Sequence, residues 1–269
     1  MTTTIALAGK GGTGKTTLAA LLIRYLMEER EGAILAIDAD PASNLNFVLG
    51  MRLHQTIGEI REDMLEQVQT SGALAGSMPG GMSKQEYLDY QVQMSLVEGE
   101  KVDLLAMGRP EGQGCYCAAN QMLRLILDRL KSHYDYVVID NEAGMEHLSR
   151  RTTLDVDVLL LVTDPTQRGL ITARRMQEMV PGLEIGVGHI YLVLNRLRGD
   201  GRDEGEAIPQ PLAEAIEEAE LDLVGTIPEE SAMAEFEFTG RPLIELPEET
   251  DLYQAVREIA GEILIDGRR

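Results

Sequence analysis

Runs of Val, Ile and Leu recur along the chain at Thr4 to Ala8, Ala33 to Asp38, Val102 to Ala106, Tyr136 to Asp140, Val158 to Thr163, Ile190 to Asn195 and Leu223 to Ile227. Runs this short and this apolar read as strands buried in a sheet. Most are separated by segments with helical patterns, among them Thr16 to Glu29, Ala119 to Ser132 and Leu170 to Met179. The alternation predicts βα units around a mostly parallel sheet flanked by helices, a doubly wound α/β fold.

Two stretches interrupt that rhythm. Between Gly50 and Lys101 a longer insertion, at about 51–101, carries helical patterns over Ile57 to Gln69 and Lys84 to Val97, broken by the loop-like Gly76 to Ser83. Gly199 to Glu206 is polar and glycine-rich and reads as a surface loop. The last helical pattern, Asp251 to Ile265, has an apolar face but several acidic residues, which suits docking on the core better than a basic membrane anchor.

At 269 residues and 44% apolar content, the chain is expected to form one domain, 1–269, around one sizeable core. A formal charge of -21 repels phosphate backbones and anionic lipid, so neither nucleic acid nor a membrane is the expected partner, and a protein or a cation is. The longest apolar runs, such as Val158 to Val162, are far too short to span a bilayer, and no leader pattern is present. These features predict a cytoplasmic protein.

Directly after the first strand stands GKGGTGKTT, Gly9 to Thr17, matching G-x4-G-K-[ST] between a strand and a helix. In such a loop the backbone N–H groups around Gly11, Gly12, Thr13 and Gly14 turn in on phosphate oxygens. Lys15 reaches the β and γ phosphates, Thr16 offers its hydroxyl to Mg(II), and Thr17 is expected at the α-phosphate.

Lys10, second in the loop, makes the motif resemble the deviant Walker A family of SIMIBI-type P-loop NTPases, which includes the ParA/MinD proteins, the nitrogenase iron protein and metallocentre-assembly ATPases. The resemblance implies a homodimer in the ATP state, with Lys10 reaching the partner's nucleotide and acting as an arginine finger does. DADPASNL, Asp38 to Leu45, is similar to the family's switch I. That assigns Asp40 to the attacking water and Asp38 to the Mg(II) hydration shell, although acids at a strand end also cap helices. In YVVIDNEAG, Asp140 takes the Walker B position and Gly144 the switch II position. GTPases of this fold carry N-K-x-D after a late strand, whereas Asn195, Arg196, Leu197 and Arg198 stand here without the guanine-reading aspartate. The resemblance places the Asn195 amide on adenine, which favours ATP.

The chain has two cysteines, Cys115 and Cys117, in the glycine-rich segment MGRPEGQGCYC, Met107 to Cys117. Thiolates at i and i+2 cannot close a tetrahedral S4 site alone, but a two-fold axis beside them would bring four together. With AGMEHLSRRT, Ala143 to Thr152, this segment resembles the CooC-type nickel-insertion ATPases of carbon monoxide dehydrogenase and their relatives serving acetyl-CoA synthase. The similarity runs from Thr4 to about Asn195 and is weak in the insertion. It implies an ATP-hydrolysing metallochaperone with one of those enzymes as client, holding Ni(II) or Zn(II) on the shared cysteines.

Three alternatives stay open. Relatives of the nitrogenase iron protein carry their second cluster cysteine just after switch II, where this chain has His147, yet four cysteines on an axis could still hold an iron–sulfur cluster for electron transfer or cluster delivery. A ParA/MinD-like positioning ATPase is opposed by the charge and by the cysteines. The cysteines could also be small buried apolar residues. His147 and His189 read as ordinary polar residues, His147 also as an alternate ligand.

Overall fold

Successive side chains of a strand point to opposite faces, and here both faces are apolar, so the strands need cover on both sides. In the computed structural model, which describes residues 2–60, 62–63, 82–108, 128–142, 155–183, 185–198 and 208–266, they receive it. The strands are β1 (Thr3–Ala8), β2 (Ile34–Ala39), β3 (Val102–Ala106), β4 (Tyr136–Asn141), β5 (Val156–Thr163), β6 (Val187–Leu197) and β7 (Leu223–Pro228). They form one sheet in the order β3-β2-β4-β1-β5-β6-β7, parallel at every pairing. The helices named here are α1 (Lys15–Glu29), α2 (Leu45–Val48), α3 (Lys84–Ser95), α4 (Gln167–Met179), α5 (Gln210–Glu218), α6 (Ala232–Thr239) and α7 (Asp251–Asp266).

Alternation divides the core in two. Ile5, Leu7, Leu160, Val162 and Val193 face α1 and α7, where Leu18, Leu22, Tyr253, Val256 and Ile263 cover them. Ala6, Leu35, Leu159, Leu161 and Leu194 face the other way, under Leu88 and Val92 of α3, Leu170 and Met176 of α4, and Ile216 of α5. Each fully buried Leu or Ile contributes roughly 1.5–3 kcal/mol, so both layers are needed. The doubly wound α/β fold is therefore as the sequence pattern predicts.

The differences lie at element ends. Strand β6 begins at Val187, earlier than the apolar run, because Gly188 and His189 are exposed and carry no hydrophobic signal. Helix α4 begins at Gln167, where the Thr166 hydroxyl accepts the Gly169 N–H at 3.1 Å. Helix α3 starts on a capping box between Ser83 and Glu86 and stops at Ser95, two residues short of the expected end, because Val97 pairs with Leu104 of the edge strand. Helices α2, α5 and α6 are short and have no strong signal in the sequence. Residues 57–60 and 128–131 are helical, as expected within Ile57 to Gln69 and Ala119 to Ser132. Most of those two segments, with Gly76 to Gly81 and Gly199 to Glu206, lies outside the described residues. Among the described residues, no helix is long and apolar enough to cross a membrane.

Candidate nucleotide site

Strand β1 lies at the centre of the sheet between β4 and β5, and its C-terminal end delivers the chain into the glycine loop. Sheet ends of this kind, where the winding reverses, leave a crevice for ligands. The loop is packed too tightly for side chains at two points. A Cβ on Gly9 would overlap the Val162 carbonyl, and one on Gly14 would overlap the Asn195 amide nitrogen. Gly14 also has φ 89°, the left-handed region, and is the N-cap of α1, so free backbone N–H groups at the start of this helix face the loop.

The Lys10 carbonyl organises the loop: it accepts the Thr13 hydroxyl at 2.9 Å and the Lys15 ammonium at 3.3 Å. The Lys10 side chain is exposed. Lys15 is buried, and burial lowers its pKa against the opposing pull of Asp140, Asp40 and Glu142.

Parallel register sets the acids side by side, Asp38 beside Asp140, and Asp140 beside Leu7 of β1. The Thr16 hydroxyl donates to Asp140 Oδ2 at 2.6 Å. Asp140 Oδ1 is buried and has no partner among the described residues. Burial pushes this carboxyl up to about 7; the Thr16 bond opposes the rise, and the nearby Asp38 adds to it. Asp38 is pushed up to about 6, again by burial, despite its backbone hydrogen bonds.

Asp38 Oδ1 accepts the Asp40 N–H at 3.0 Å and Oδ2 accepts the Leu45 N–H at 2.9 Å, so this side chain caps α2 and shapes the turn. Asp40 is half-buried, and its Oδ1 accepts the Ala42 N–H at 2.8 Å. One residue the motif reading passed over is Asn141, buried, whose amide donates to the Leu7 carbonyl at 2.8 Å and fastens β4 to β1 just before the loop. Its signal was its place after the Walker B aspartate.

Asn195 reaches the loop from β6, donating to the Thr13 carbonyl at 2.7 Å. Beside it a cavity of about 250 Å³ is lined by Thr17, Arg196, Pro228, Glu229 and Met233 among others. The β7 end was not singled out from the sequence, because a Pro-Glu-Glu step carries no nucleotide motif. The structure thus gathers Lys10 to Thr17, Asp38, Asp40, Asp140 and Asn195 at one end of the sheet. Gly144, Cys115, Cys117 and His147 lie outside the described residues. His189 stacks on Tyr191 with ring centroids 5.9 Å apart. Among the described residues no three His, Cys, Asp or Glu side chains gather as a metal cluster.

A glycine loop closing on a helix N-terminus, with its threonine bonded to an aspartate two strands from the edge of a doubly wound sheet, defines a P-loop NTPase. The chain belongs to the CobQ/CobB/MinD/ParA nucleotide binding domain family, which it matches over residues 4–243. It is similar to an ATP-binding protein of Methanocaldococcus jannaschii, 44% identical over 260 residues that cover 97% of this chain and 98% of the relative. It is also similar to the carbon monoxide dehydrogenase accessory protein CooC of Rhodospirillum rubrum, 30% identical over 236 residues that cover 85% of this chain and 84% of that one. Its fold is that of the septum site-determining protein MinD of Pyrococcus horikoshii, solved with Mg-ADP, at a TM-score of 0.66 and 23% identity over 98% of this chain and 96% of that one.

Proposed function

We propose that this protein is an ATP-hydrolysing metallochaperone that dimerises with ATP and helps insert nickel into the metal cluster of a carbon monoxide dehydrogenase or acetyl-CoA synthase. The observation that carries this reading is the Cys115-x-Cys117 pair between β3 and β4 of a P-loop frame. The likeness to the accessory protein of Rhodospirillum rubrum supports it. Such a pair suits soft cations. The charge of -21 likewise suits a protein client and a cation cargo rather than nucleic acid or membrane.

In this reading Lys15 and the loop amides bind the ATP phosphates, and Thr17 and Asn195 lie toward the α-phosphate and base. Asp140 fits a hydrated cation beside the phosphates, since one of its buried oxygens lacks a partner among the described residues and the other already holds the Thr16 hydroxyl. Mg(II), when bound, would neutralise charge on the β and γ phosphates. Asp40 orients the water that attacks the γ-phosphorus and takes its proton as the bond to the ADP oxygen breaks. Lys10 of the partner copy stabilises the charge that develops, so hydrolysis waits for the dimer. Gly144 reports the γ-phosphate to the segment that follows it.

The segment leading to the cysteines starts next to this machinery: the Met107 N–H donates to the Asp38 carbonyl at 2.7 Å. Anaerobic Ni(II) titration, followed by thiolate-to-metal charge-transfer absorbance and by dimer mass, tests the proposal. One ion per dimer, lost in both Cys115→Ser and Cys117→Ser, is expected, because serine oxygen is too hard and too weakly acidic to replace thiolate. One ion per monomer, or undiminished binding by the double variant, would overturn the shared site. A brown iron–sulfur chromophore in the anaerobic protein would favour the cluster-carrier alternative.

A further inference from the structure

We infer that Asn195 is a positioning residue for the phosphate loop, holding the Thr13–Gly14 peptide in its nucleotide-ready orientation before any base arrives. The inference rests on the reading of Gly9 to Thr17 as a phosphate site, and it is independent of what the cysteines bind.

Both ends of the Asn195 amide are committed. Its Nδ2 donates to the Thr13 carbonyl at 2.7 Å, and its Oδ1 accepts the Arg196 N–H at 2.9 Å. Turning the amide over would set an oxygen against a carbonyl and an NH2 against an N–H, so one orientation satisfies both bonds. The residue is only 6% exposed, so neither bond is readily replaced by water.

The peptide unit is planar and trans, so fixing the Thr13 carbonyl also fixes the Gly14 N–H, which points the opposite way. Gly14 is the N-cap of α1, and its orientation sets those of the amides that follow. A glycine-rich loop loses much conformational freedom on ordering, and an anchor from behind removes that cost from the binding step. The approach is close enough to need glycine, since a Cβ at Gly14 would occupy the place of Asn195 Nδ2. On the other side, Arg196 has φ 59°, a left-handed conformation that is uncommon outside glycine. That turn brings the Arg196 N–H onto the side chain of its own neighbour.

Asn195 also lines the cavity beside Thr17, so one N–H and one lone pair of the same amide remain for a base. A base seated there and a phosphate chain seated in the loop would therefore lean on one side chain.

Hydrogen exchange of the protein without nucleotide tests the inference, together with displacement of a fluorescent ATP analogue by ATP and by magnesium tripolyphosphate, which has no base. The variants are Asn195→Ala and Asn195→Asp; the aspartate keeps an acceptor for Arg196 and loses the donor to Thr13. In both, the Thr13 and Leu18 amides, which donate to the Lys10 and Gly14 carbonyls, should exchange about tenfold faster while those of β1 and β5 do not change. Affinities for ATP and for tripolyphosphate should fall together, by about tenfold. Unchanged exchange with a loss confined to ATP would overturn the inference and leave Asn195 as a base reader alone. Faster exchange throughout the sheet would also overturn it, as the mark of a merely structural residue. A wild type that binds neither ATP nor tripolyphosphate would instead refute the phosphate-site reading, and exchange in the variants would still decide whether Asn195 holds the loop.

Discussion

At its first turn helix α1 carries Lys15 and Thr16 toward Asp140, and two turns further on it carries Arg24 and Glu28 toward α7. In the second region the polar groups find partners. The Arg24 Nε donates to Glu28 at 2.7 Å, its guanidinium bonds the Leu246 carbonyl, and its charge lies 4.0 Å from the centre of the Tyr253 ring. The Tyr253 hydroxyl closes the set by donating to Glu28 at 2.5 Å. In the first region Lys15 and Asp140 are buried and less satisfied. Asp140 Oδ1 has no partner among the described residues, and the Lys15 ammonium rests on a carbonyl at 3.3 Å. Burial pushes the pKa values of Lys15 and Asp140 toward neutrality, Lys15 down and Asp140 up. One end of the helix is built for stability, and the other keeps its electrostatics incomplete for something that arrives.

The strongest way to break that comparison is to remove the central residue of each end and look for the wrong loss. Lys15→Ala should lower ATP affinity by more than about a hundredfold in calorimetric titration, because the ammonium is the loop's one buried cation among the described residues. The same variant should unfold in urea no more easily than the wild type, since it gives up a single long hydrogen bond and the cost of burying a charge. A large fall in stability without a loss of affinity would show that the loop lysine is structural.

Arg24→Ala should do the opposite. It removes a buried cation from two hydrogen bonds and a ring face, and leaves the Leu246 carbonyl unpaired. The expected cost is about 3 kcal/mol in urea unfolding, with ATP affinity unchanged within about twofold. An affinity loss as large as that of Lys15→Ala would mean that α7 and the phosphate loop are not separate devices.

How far the sequence revealed these two regions differs in the same sense. Every strand was visible, because both-face burial demands unbroken Val, Ile and Leu, as in Val158 to Thr163. The phosphate loop was visible too, because few sequences put Gly9, Gly14, Lys15 and Thr16 between a strand and a helix. The Arg24 network was not, since Arg24, Glu28, Leu246 and Tyr253 are brought together by tertiary packing and follow no spacing. The β7 end of the cavity was hidden for the same reason, whereas Asn141 is marked by its place directly after Asp140. At Asp38 the sequence shows an acid at a strand end, and the structure adds that its two oxygens accept the Asp40 and Leu45 N–H groups. Motifs identify residue types; which atom is left over for a ligand follows only from the hydrogen bonds.

The smallest effect separates the two ends by pH. Burial alone would raise the Glu28 pKa, but hydrogen bonds from Tyr253 and Arg24, with the charges of Arg24 and Arg257, outweigh it and hold the carboxyl below its ordinary value. A depressed folded-state pKa means the unfolded chain takes up the proton first as pH falls. The contribution of Glu28 is therefore fully present above the ordinary glutamate range and is lost as pH drops through that range toward the folded value. Glu28 is partly open to solvent, its side chain 39% exposed, so screening keeps the contribution at or below about 1 kcal/mol. Glu28→Gln should be less stable than the wild type by that small amount at neutral pH, and the gap should close on acidification in urea titrations at a series of pH values. ATP affinity at neutral pH should not change. A gap that widens toward low pH would reverse the sign of the linkage, and the far end of α1 would then carry the same unfinished electrostatics as the phosphate loop.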